Sequence, residues 1–252
     1  MYDNIKKTII ITGGNKGIGL AITKKYLKEN CNVFVGARSK ILYNGPNKKN
    51  LYFVKINAEN YKSHLKLAKI AKKKTKRLDV YINNVGLSEW KPINFITNQF
   101  LNKMLSINLK SVFWGAKAAT TIGKNNLSII NISSIAGKRG SANNSVYCAS
   151  KFAVNGVTQS LAKELGEKNI RVNAICPVLI KTEGLVKALD HKFSPAKKNI
   201  NKFFKEFSNQ NSALGKLPTA EDVASICYYL SKKETSSITG QCINIDCGVF
   251  PQ

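Results

Sequence analysis

Residues 8–19 read Thr8-Ile-Ile-Ile-Thr-Gly-Gly-Asn-Lys-Gly-Ile-Gly19, and this stretch decides the fold. The apolar run at its start is typical of a buried strand. The glycines that follow let the backbone turn tightly and come close to a bound group. A helix that begins behind such a turn presents free N–H groups and the positive end of its dipole, which suit a pyrophosphate. The stretch therefore predicts a strand, a phosphate-binding turn and a helix.

Strand-like and helix-like segments alternate along the rest of the chain. Strands are predicted at 8–12, 32–36, 51–56, 78–82, 127–132, 170–175 and 241–245, and helices at 17–29, 59–76, 97–121, 146–166 and 221–230. This alternation predicts an α/β protein, a single Rossmann-type domain over residues 1–252. We expect a doubly wound, mostly parallel seven-stranded sheet with helices on both faces, and ligands at the carboxyl ends of its strands.

Composition restricts the classes of function. The chain has 252 residues and a formal net charge of +26, but its lysine clusters are more typical of solvated helix faces than of a nucleic-acid site. Its apolar runs are too short to span a membrane, and the N-terminus does not resemble a signal peptide, so a cytoplasmic location is expected. Six cysteines without a Cys-x-x-Cys pair, and only two histidines, predict reduced thiols and no metal site.

The second predicted strand ends in Gly36-Ala37-Arg38, where many dinucleotide-binding folds place a carboxylate for the ribose hydroxyls. Arg38 can instead pair with a 2′-phosphate, and Lys16 in the glycine turn could reach the same group. The sequence thus favours NADP(H), with NAD(H) as the alternative. Both cations are also compatible with an ordinary basic surface.

Tyr147 and Lys151 lie four residues apart in a predicted helix, so their side chains share one face. A nearby ammonium favours the phenolate and is expected to lower the pKa of the phenol. Such a pair could exchange a proton with an alcohol near neutral pH.

Taken together, the sequence resembles the short-chain dehydrogenase/reductase family from Thr8 to about Gly248. The resemblance rests on the glycine turn, Asn83-Asn-Val-Gly86, Asn108, Ser134, the Tyr147/Lys151 pair, Asn173-Ala-Ile-Cys-Pro177 and Thr239-Gly-Gln-Cys-Ile-Asn-Ile-Asp246. It implies an NAD(P)-dependent oxidoreductase that interconverts a secondary alcohol and a ketone on a small polar substrate. Relatives of this kind also imply a homotetramer, with a dimer as the next alternative.

The resemblance assigns roles to individual residues. Tyr147 would be the acid/base, Lys151 would lower its pKa, Ser134 would bond the substrate oxygen, and Asn108 would hold a water in a proton relay. Cofactor contacts are expected from Gly13, Asn15, Lys16, Gly17, Ile18, Gly19, Arg38, Asn57, Ala58, Asn84, Val85, Gly86, Tyr147, Lys151, Pro177, Ile180 and Thr182. The substrate pocket is expected to include Ser88, Trp90, Ser134, Ala136, Asn144, Tyr147, Val178 and Leu185.

Residues 182–214, rich in phenylalanine, are expected to cover the substrate as a lid. Lys138 and Arg139, which follow Ser134, could attract an anionic group. One alternative is a 3-oxoacyl-[acyl-carrier-protein] reductase, for which a positive surface would suit an acidic carrier. A remote alternative is a non-catalytic protein that binds a dinucleotide or RNA.

Overall fold

The computed structural model describes residues 6–197 and 199–251. The strands within these residues are β1 (Thr8–Thr12), β2 (Asn32–Ala37), β3 (Leu51–Lys55), β4 (Val80–Asn83), β5 (Ser128–Ile132), β6 (Arg171–Pro177) and β7 (Cys242–Ile245). These seven strands form one sheet in the order β3-β2-β1-β4-β5-β6-β7, and every neighbouring pair is parallel. The strand order reverses between β1 and β4, which opens a crevice at their carboxyl ends.

Helices cover both faces of this sheet. They are α1 (Gly17–Lys28), α2 (Tyr61–Thr75), α3 (Asn98–Leu105), α4 (Ser111–Gly123), α5 (Ser145–Leu165), α6 (Glu183–Leu189), α7 (Ile200–Asn211) and α8 (Ala220–Leu230). Because side chains alternate along a strand, β1 supplies both layers of the core. Ile9 and Ile11 pack with α1 and α8 on one face, and Ile10 packs with α2, α4 and α5 on the other. The predicted doubly wound sheet is thereby confirmed.

Two segments differ from the sequence-based expectation. The helix predicted at 97–121 is interrupted by a π-helical turn, Ser106–Lys110, which separates α3 from α4. Residues 182–214, for which no element was predicted, contain α6 and α7. Both segments border the carboxyl end of the sheet, where the candidate site lies.

Among the described residues, no helix combines the length and apolar character that crossing a membrane requires. All six cysteines are free thiols, and four of them are buried.

Candidate active site

In the glycine turn between β1 and α1, the backbone at Gly19 packs closely against the backbone of Gly13. Gly13 adopts a positive φ of 66°, in the region that glycine favours. A Cβ at Gly19 would lie 2.2 Å from the carbonyl oxygen of Gly13 and 2.5 Å from Nδ2 of Asn84. No side chain fits there, so glycine is required where the start of α1, whose free N–H groups suit a phosphate, packs against the turn.

Asn84 fastens this turn to the end of β4. Its Nδ2 donates hydrogen bonds to the carbonyl oxygens of Thr12 at 3.0 Å and Gly13 at 3.2 Å. The backbone N–H of Asn84 also donates to Oγ1 of Thr12 at 3.1 Å. The predicted cofactor residue Asn84 therefore lines the crevice and also positions the glycine turn.

The ends of β2 and β3 form one extremity of the crevice. Arg38 is exposed there, and no hydrogen bond or ion pair engages its side chain among the described residues. Asn57 is also exposed, and its Oδ1 already accepts a hydrogen bond from the Glu59 N–H at 3.0 Å. The Arg38 guanidinium is therefore available to bind an anion. Oδ1 of Asn57 already accepts one hydrogen bond from the backbone, so it has one acceptor site left.

Lys16 lies in the glycine turn itself and faces the start of α6. Its Nζ is 3.9 Å from Oε2 of Glu183, at the start of α6, and both side chains are largely exposed. A Cβ at Gly17 would also stand 3.2 Å from Cγ2 of Thr182. The glycine turn and the segment that begins α6 therefore lie close together at this point.

One cleft of about 950 Å³ runs along the carboxyl ends of the strands. Every residue predicted to contact the cofactor lines it, and so does every residue predicted for the substrate pocket. Of the predicted catalytic residues, Ser134, Tyr147 and Lys151 line it, while Asn108 is buried behind its wall. The cleft therefore brings together residues that lie far apart in the sequence.

Tyr147 and Lys151 share one face of α5, as their spacing predicts. Nζ of Lys151 lies 5.8 Å from the centroid of the Tyr147 ring and donates a 2.8 Å hydrogen bond to the carbonyl oxygen of Ile132 at the end of β5. Ser134 follows β5, and its Oγ accepts a hydrogen bond from the Ala136 N–H at 3.1 Å. The end of β5 therefore holds both the amine and the hydroxyl beside the phenol.

The pKa shifts correct one expectation. Burial raises the pKa of Tyr147 to about 12, and a hydrogen bond with Ser134 opposes this rise. Burial also lowers the pKa of Lys151 to about 8. The sequence predicted a phenol made more acidic by its neighbour, but desolvation, which disfavours both charged forms, is the larger effect in this structure.

Asn108 lies in the π-helical turn and is fully buried. Its Oδ1 accepts a 2.7 Å hydrogen bond from the Leu87 N–H, and its Nδ2 donates to Leu87 O at 2.9 Å and to Ser150 Oγ at 3.0 Å. A Cβ placed on Gly86 would stand 3.6 Å from Asn108 Oδ1 and 3.7 Å from Lys151 Nζ. The glycine thus leaves a small space that both side chains border.

The wall opposite the sheet comes from the segment that was predicted as a lid. Phe203 and Phe207 of α7 line the cleft, while Phe204 packs with Trp90 and Leu189 in a small apolar cluster. Four further lining residues from this segment were not predicted: Glu183, Gly184, Lys187 and Pro195. The spacing of the three phenylalanines by three and four residues was the available signal, since it is typical of one helix.

Asn144 directly precedes α5 and lines the cleft. The residue is 5% exposed, and its Oδ1 is buried without a hydrogen-bond partner among the described residues. A buried amide oxygen without a donor is costly, so this atom is a candidate acceptor for a ligand hydroxyl.

A parallel sheet with a glycine turn at its switch point, and a Tyr/Lys pair beside it, defines a dinucleotide-dependent oxidoreductase. The chain belongs to the short-chain dehydrogenase family, whose model matches residues 7–192. Relatives in this family are oxidoreductases that act on CH–OH groups, and neighbours of known structure bind NADP or NADPH. The resemblance inferred from the sequence is thereby confirmed.

Three similar proteins extend this comparison. L-2,3-butanediol dehydrogenase of Corynebacterium glutamicum is 32% identical, over 98% of this chain and 99% of that protein. A 3-oxoacyl-[acyl-carrier-protein] reductase of Thermotoga maritima is 30% identical, over 96% and 97%. The solved structure of ElxO with NADP bound has a TM-score of 0.85 and 30% identity, covering 98% of this chain and 100% of that one.

Proposed function

We propose that the protein interconverts a secondary alcohol and a ketone on a small polar substrate, with Tyr147 as the proton donor and acceptor. The observation that carries the proposal is the meeting of Ser134, Tyr147 and Lys151 in the cleft that the glycine turn also lines. A bound nicotinamide dinucleotide supplies or accepts the hydride. The residues of the chain then have to orient the substrate and move one proton.

In the direction of reduction, Ser134 orients the carbonyl oxygen and Tyr147 donates its phenolic proton to that oxygen. A phenol with a pKa of about 12 is protonated at neutral pH, so it is ready to donate. The reverse reaction requires the phenolate, and we therefore expect alcohol oxidation to be faster at alkaline pH.

Lys151 and Asn108 return the proton to Tyr147. With its pKa near 8, Lys151 can exchange a proton close to neutral pH. The space beside Gly86, bordered by Lys151 Nζ and Asn108 Oδ1, is where a relay water would sit. Asn108 is held for this task by its three hydrogen bonds to Leu87 and Ser150.

NADP(H) is the favoured cofactor in this proposal, with NAD(H) as the alternative. Arg38 stands exposed at the end of β2, and no carboxylate of the described residues lies within ion-pair distance of it, which suits a 2′-phosphate. ElxO, a relative of 30% identity, binds NADP. Gly13, Gly17 and Gly19 would hold the pyrophosphate, and Pro177, Ile180 and Thr182 the nicotinamide end.

The substrate is proposed to be small and to carry more than one oxygen. Asn144 Oδ1 would accept a hydrogen bond from a hydroxyl on or beside the reacting carbon. The butanediol dehydrogenase of C. glutamicum, which is named for a substrate with two neighbouring hydroxyls, supports this reading.

A 3-oxoacyl-[acyl-carrier-protein] reductase is the second candidate. The T. maritima relative carries that name, and the net charge of +26 would attract an acidic carrier protein. This candidate requires the reduction of an acetoacetyl thioester, which distinguishes it from the first.

The test is a set of initial rates, followed by nicotinamide absorbance, on alcohols, ketones and an acetoacetyl thioester with NADPH and NADH side by side. The proposal requires turnover of a small ketone and a higher kcat/KM with NADPH. Turnover of the thioester alone would favour the second candidate. A protein that bound either dinucleotide but turned over none of these compounds would contradict both.

The proposal extends to a homotetramer in the cytoplasm. Phe113 on α4 and Phe152 on α5 are 45% and 47% exposed, and these helices are the ones through which relatives are expected to pair. The free thiols suit a reducing compartment.

A further inference from the structure

Arg139 is a half-buried cation inside the cleft. It lies just after a short 3-10 turn, Ile135–Gly137, which follows Ser134, and it contributes to the cleft lining. Its guanidinium carbon is 5.5 Å from the centroid of the Phe250 ring. No carboxylate lies within ion-pair distance of it among the described residues.

The other charges of the cleft do not neutralise this guanidinium. Two carboxylates of the described residues line the cleft: Glu183 faces Lys16, and Glu59 follows Asn57 and Ala58 at the opposite extremity. Lys187 on α6 adds a second positive charge to the substrate half, and it has no ion pair within the described part of the chain. Among the described residues, Arg139 and Lys187 therefore have no carboxylate within ion-pair distance, although Glu183 at the start of α6 adds one negative charge to the same wall.

The neighbouring Lys138 behaves differently. It does not line the cleft, and its charge instead acts on the thiols of Cys176 and Cys242. Of the two cations that the sequence offered for an anionic group, the structure therefore brings one into the cleft.

A guanidinium that is partly removed from water is best stabilised by a carboxylate, which it can bind through two parallel N–H···O bonds. The Phe250 ring compensates for part of the lost hydration, but it offers no acceptor oxygen. A ligand carboxylate would complete the interactions of Arg139 and fix the orientation of the substrate at the same time.

We propose that the substrate is a keto acid and its product the corresponding hydroxy acid, with the carboxylate bound by Arg139. This inference rests on the proposed function and narrows its substrate class. Because Arg139 and Tyr147 are fixed to the same framework, the reaction is sensitive to the number of carbons between carbonyl and carboxylate. The rate peaks at one chain length in a series of keto acids.

The kinetic test compares 3-oxobutanoate, 4-oxopentanoate and 5-oxohexanoate with their methyl esters, which keep the ketone and remove the charge. We expect kcat/KM for the best acid to exceed that of its ester by about tenfold or more. Arg139→Gln removes this preference and leaves the ester within about twofold of wild type. Arg139→Lys, which keeps the charge without the planar fork, restores part of the preference.

Lys138→Gln is the matched control, since it removes a neighbouring charge that lies outside the cleft, and it preserves the preference. Esters turned over as well as acids, or an unchanged preference in Arg139→Gln, would overturn the inference while leaving the proposed function intact. If neither the acids nor the esters were turned over, the inference would be overturned. The proposed function would then be tested with the other ketones of the substrate set.

A binding measurement is independent of turnover. Pentanoate, which has the carboxylate but no carbonyl to reduce, is titrated calorimetrically into the protein saturated with NADPH. We expect its Kd to rise at least about tenfold in Arg139→Gln and to stay unchanged in Lys138→Gln. Equal binding by wild type and Arg139→Gln, or no measurable binding to wild type, would contradict the role of Arg139.

Discussion

Tyr147 and Lys151 show how far single residues can be understood from the sequence. Their spacing placed both side chains on one face of α5, and the structure has them there. The sequence did not, however, correctly predict the direction in which the pKa of this phenol shifts. Burial depends on β5, β6 and the loops above them, and it raises the pKa of Tyr147 to about 12 instead of lowering it.

Lys151 gives a stability prediction with a definite sign. Its pKa in the folded protein, about 8, lies below the ordinary value of 10.5 that applies when the chain unfolds. The cost of burying the ammonium is fully present below the folded pKa and disappears as pH rises past the unfolded one. We therefore expect Lys151→Met to gain stability relative to wild type at neutral pH, and this gain to shrink by about 2 kcal/mol by about pH 10.

Denaturant unfolding of both proteins across this pH range is the measurement. Lys163→Met is the control, since Lys163 is exposed on the same helix. Its stability should follow that of wild type at every pH. Parallel curves for wild type and Lys151→Met would show that the folded pKa of Lys151 is not lowered.

At the scale of elements, the glycine turn is the most constrained part of the cleft. A methyl group at Gly19 would stand 2.2 Å from Gly13 O, so Gly19→Ala must displace the turn or the start of α1. We expect this variant to bind NADPH at least about tenfold more weakly and to lose roughly 1–3 kcal/mol of stability. Calorimetric titration and thermal unfolding measure the two effects.

Gly166→Ala is the matched control for that variant. Gly166 has a helical φ of −59°, and a Cβ there would meet nothing within 4 Å. The substitution should leave NADPH binding unchanged and stabilise the protein by up to about 1 kcal/mol. If Gly19→Ala bound NADPH as Gly166→Ala does, the turn would not be the pyrophosphate site.

The strands were predictable, whereas two helical features were not. Buried parallel strands such as β1 are continuous apolar runs bounded by glycine or polar residues, so the sequence marks them clearly. The π-helical turn at Ser106–Lys110 has no such mark, because it changes the hydrogen-bond spacing within an unbroken helical pattern. The spacing of Phe203, Phe204 and Phe207 was a signal for α7, but the polar residues around them are also typical of a loop.

At the scale of the whole molecule, the fold explains why distant motifs form one site. The reversal of strand order between β1 and β4 brings the ends of β1, β4, β5 and β6 to one crevice. The alternation of strands and helices was enough to predict this edge, and every predicted cofactor and substrate residue lines it. Two features were not predicted in full, because they depend on three-dimensional packing. They are the cleft wall formed by α6 and the charges around Arg139.

The proposed tetramer is tested through its exposed aromatic residues. We expect wild type to have four times the chain mass by light scattering after size-exclusion chromatography. Replacing both Phe113 and Phe152 by Glu should lower that mass, because two buried charges would face the partner helices. Leu42→Glu, at a residue that is 90% exposed and distant in sequence from α4 and α5, should not lower it. A wild type with the mass of one chain would exclude the tetramer.

The most direct test of the account is the rate of ketone reduction by Tyr147→Phe, with NADPH binding measured on the same protein. We predict that kcat falls at least about a hundredfold while NADPH still binds, because the ring remains and only the proton donor is lost. Tyr229→Phe, at a tyrosine that is 50% exposed on α8, should retain the wild-type rate. A Tyr147→Phe protein that reduced the ketone as fast as wild type would show that the proton comes from another group.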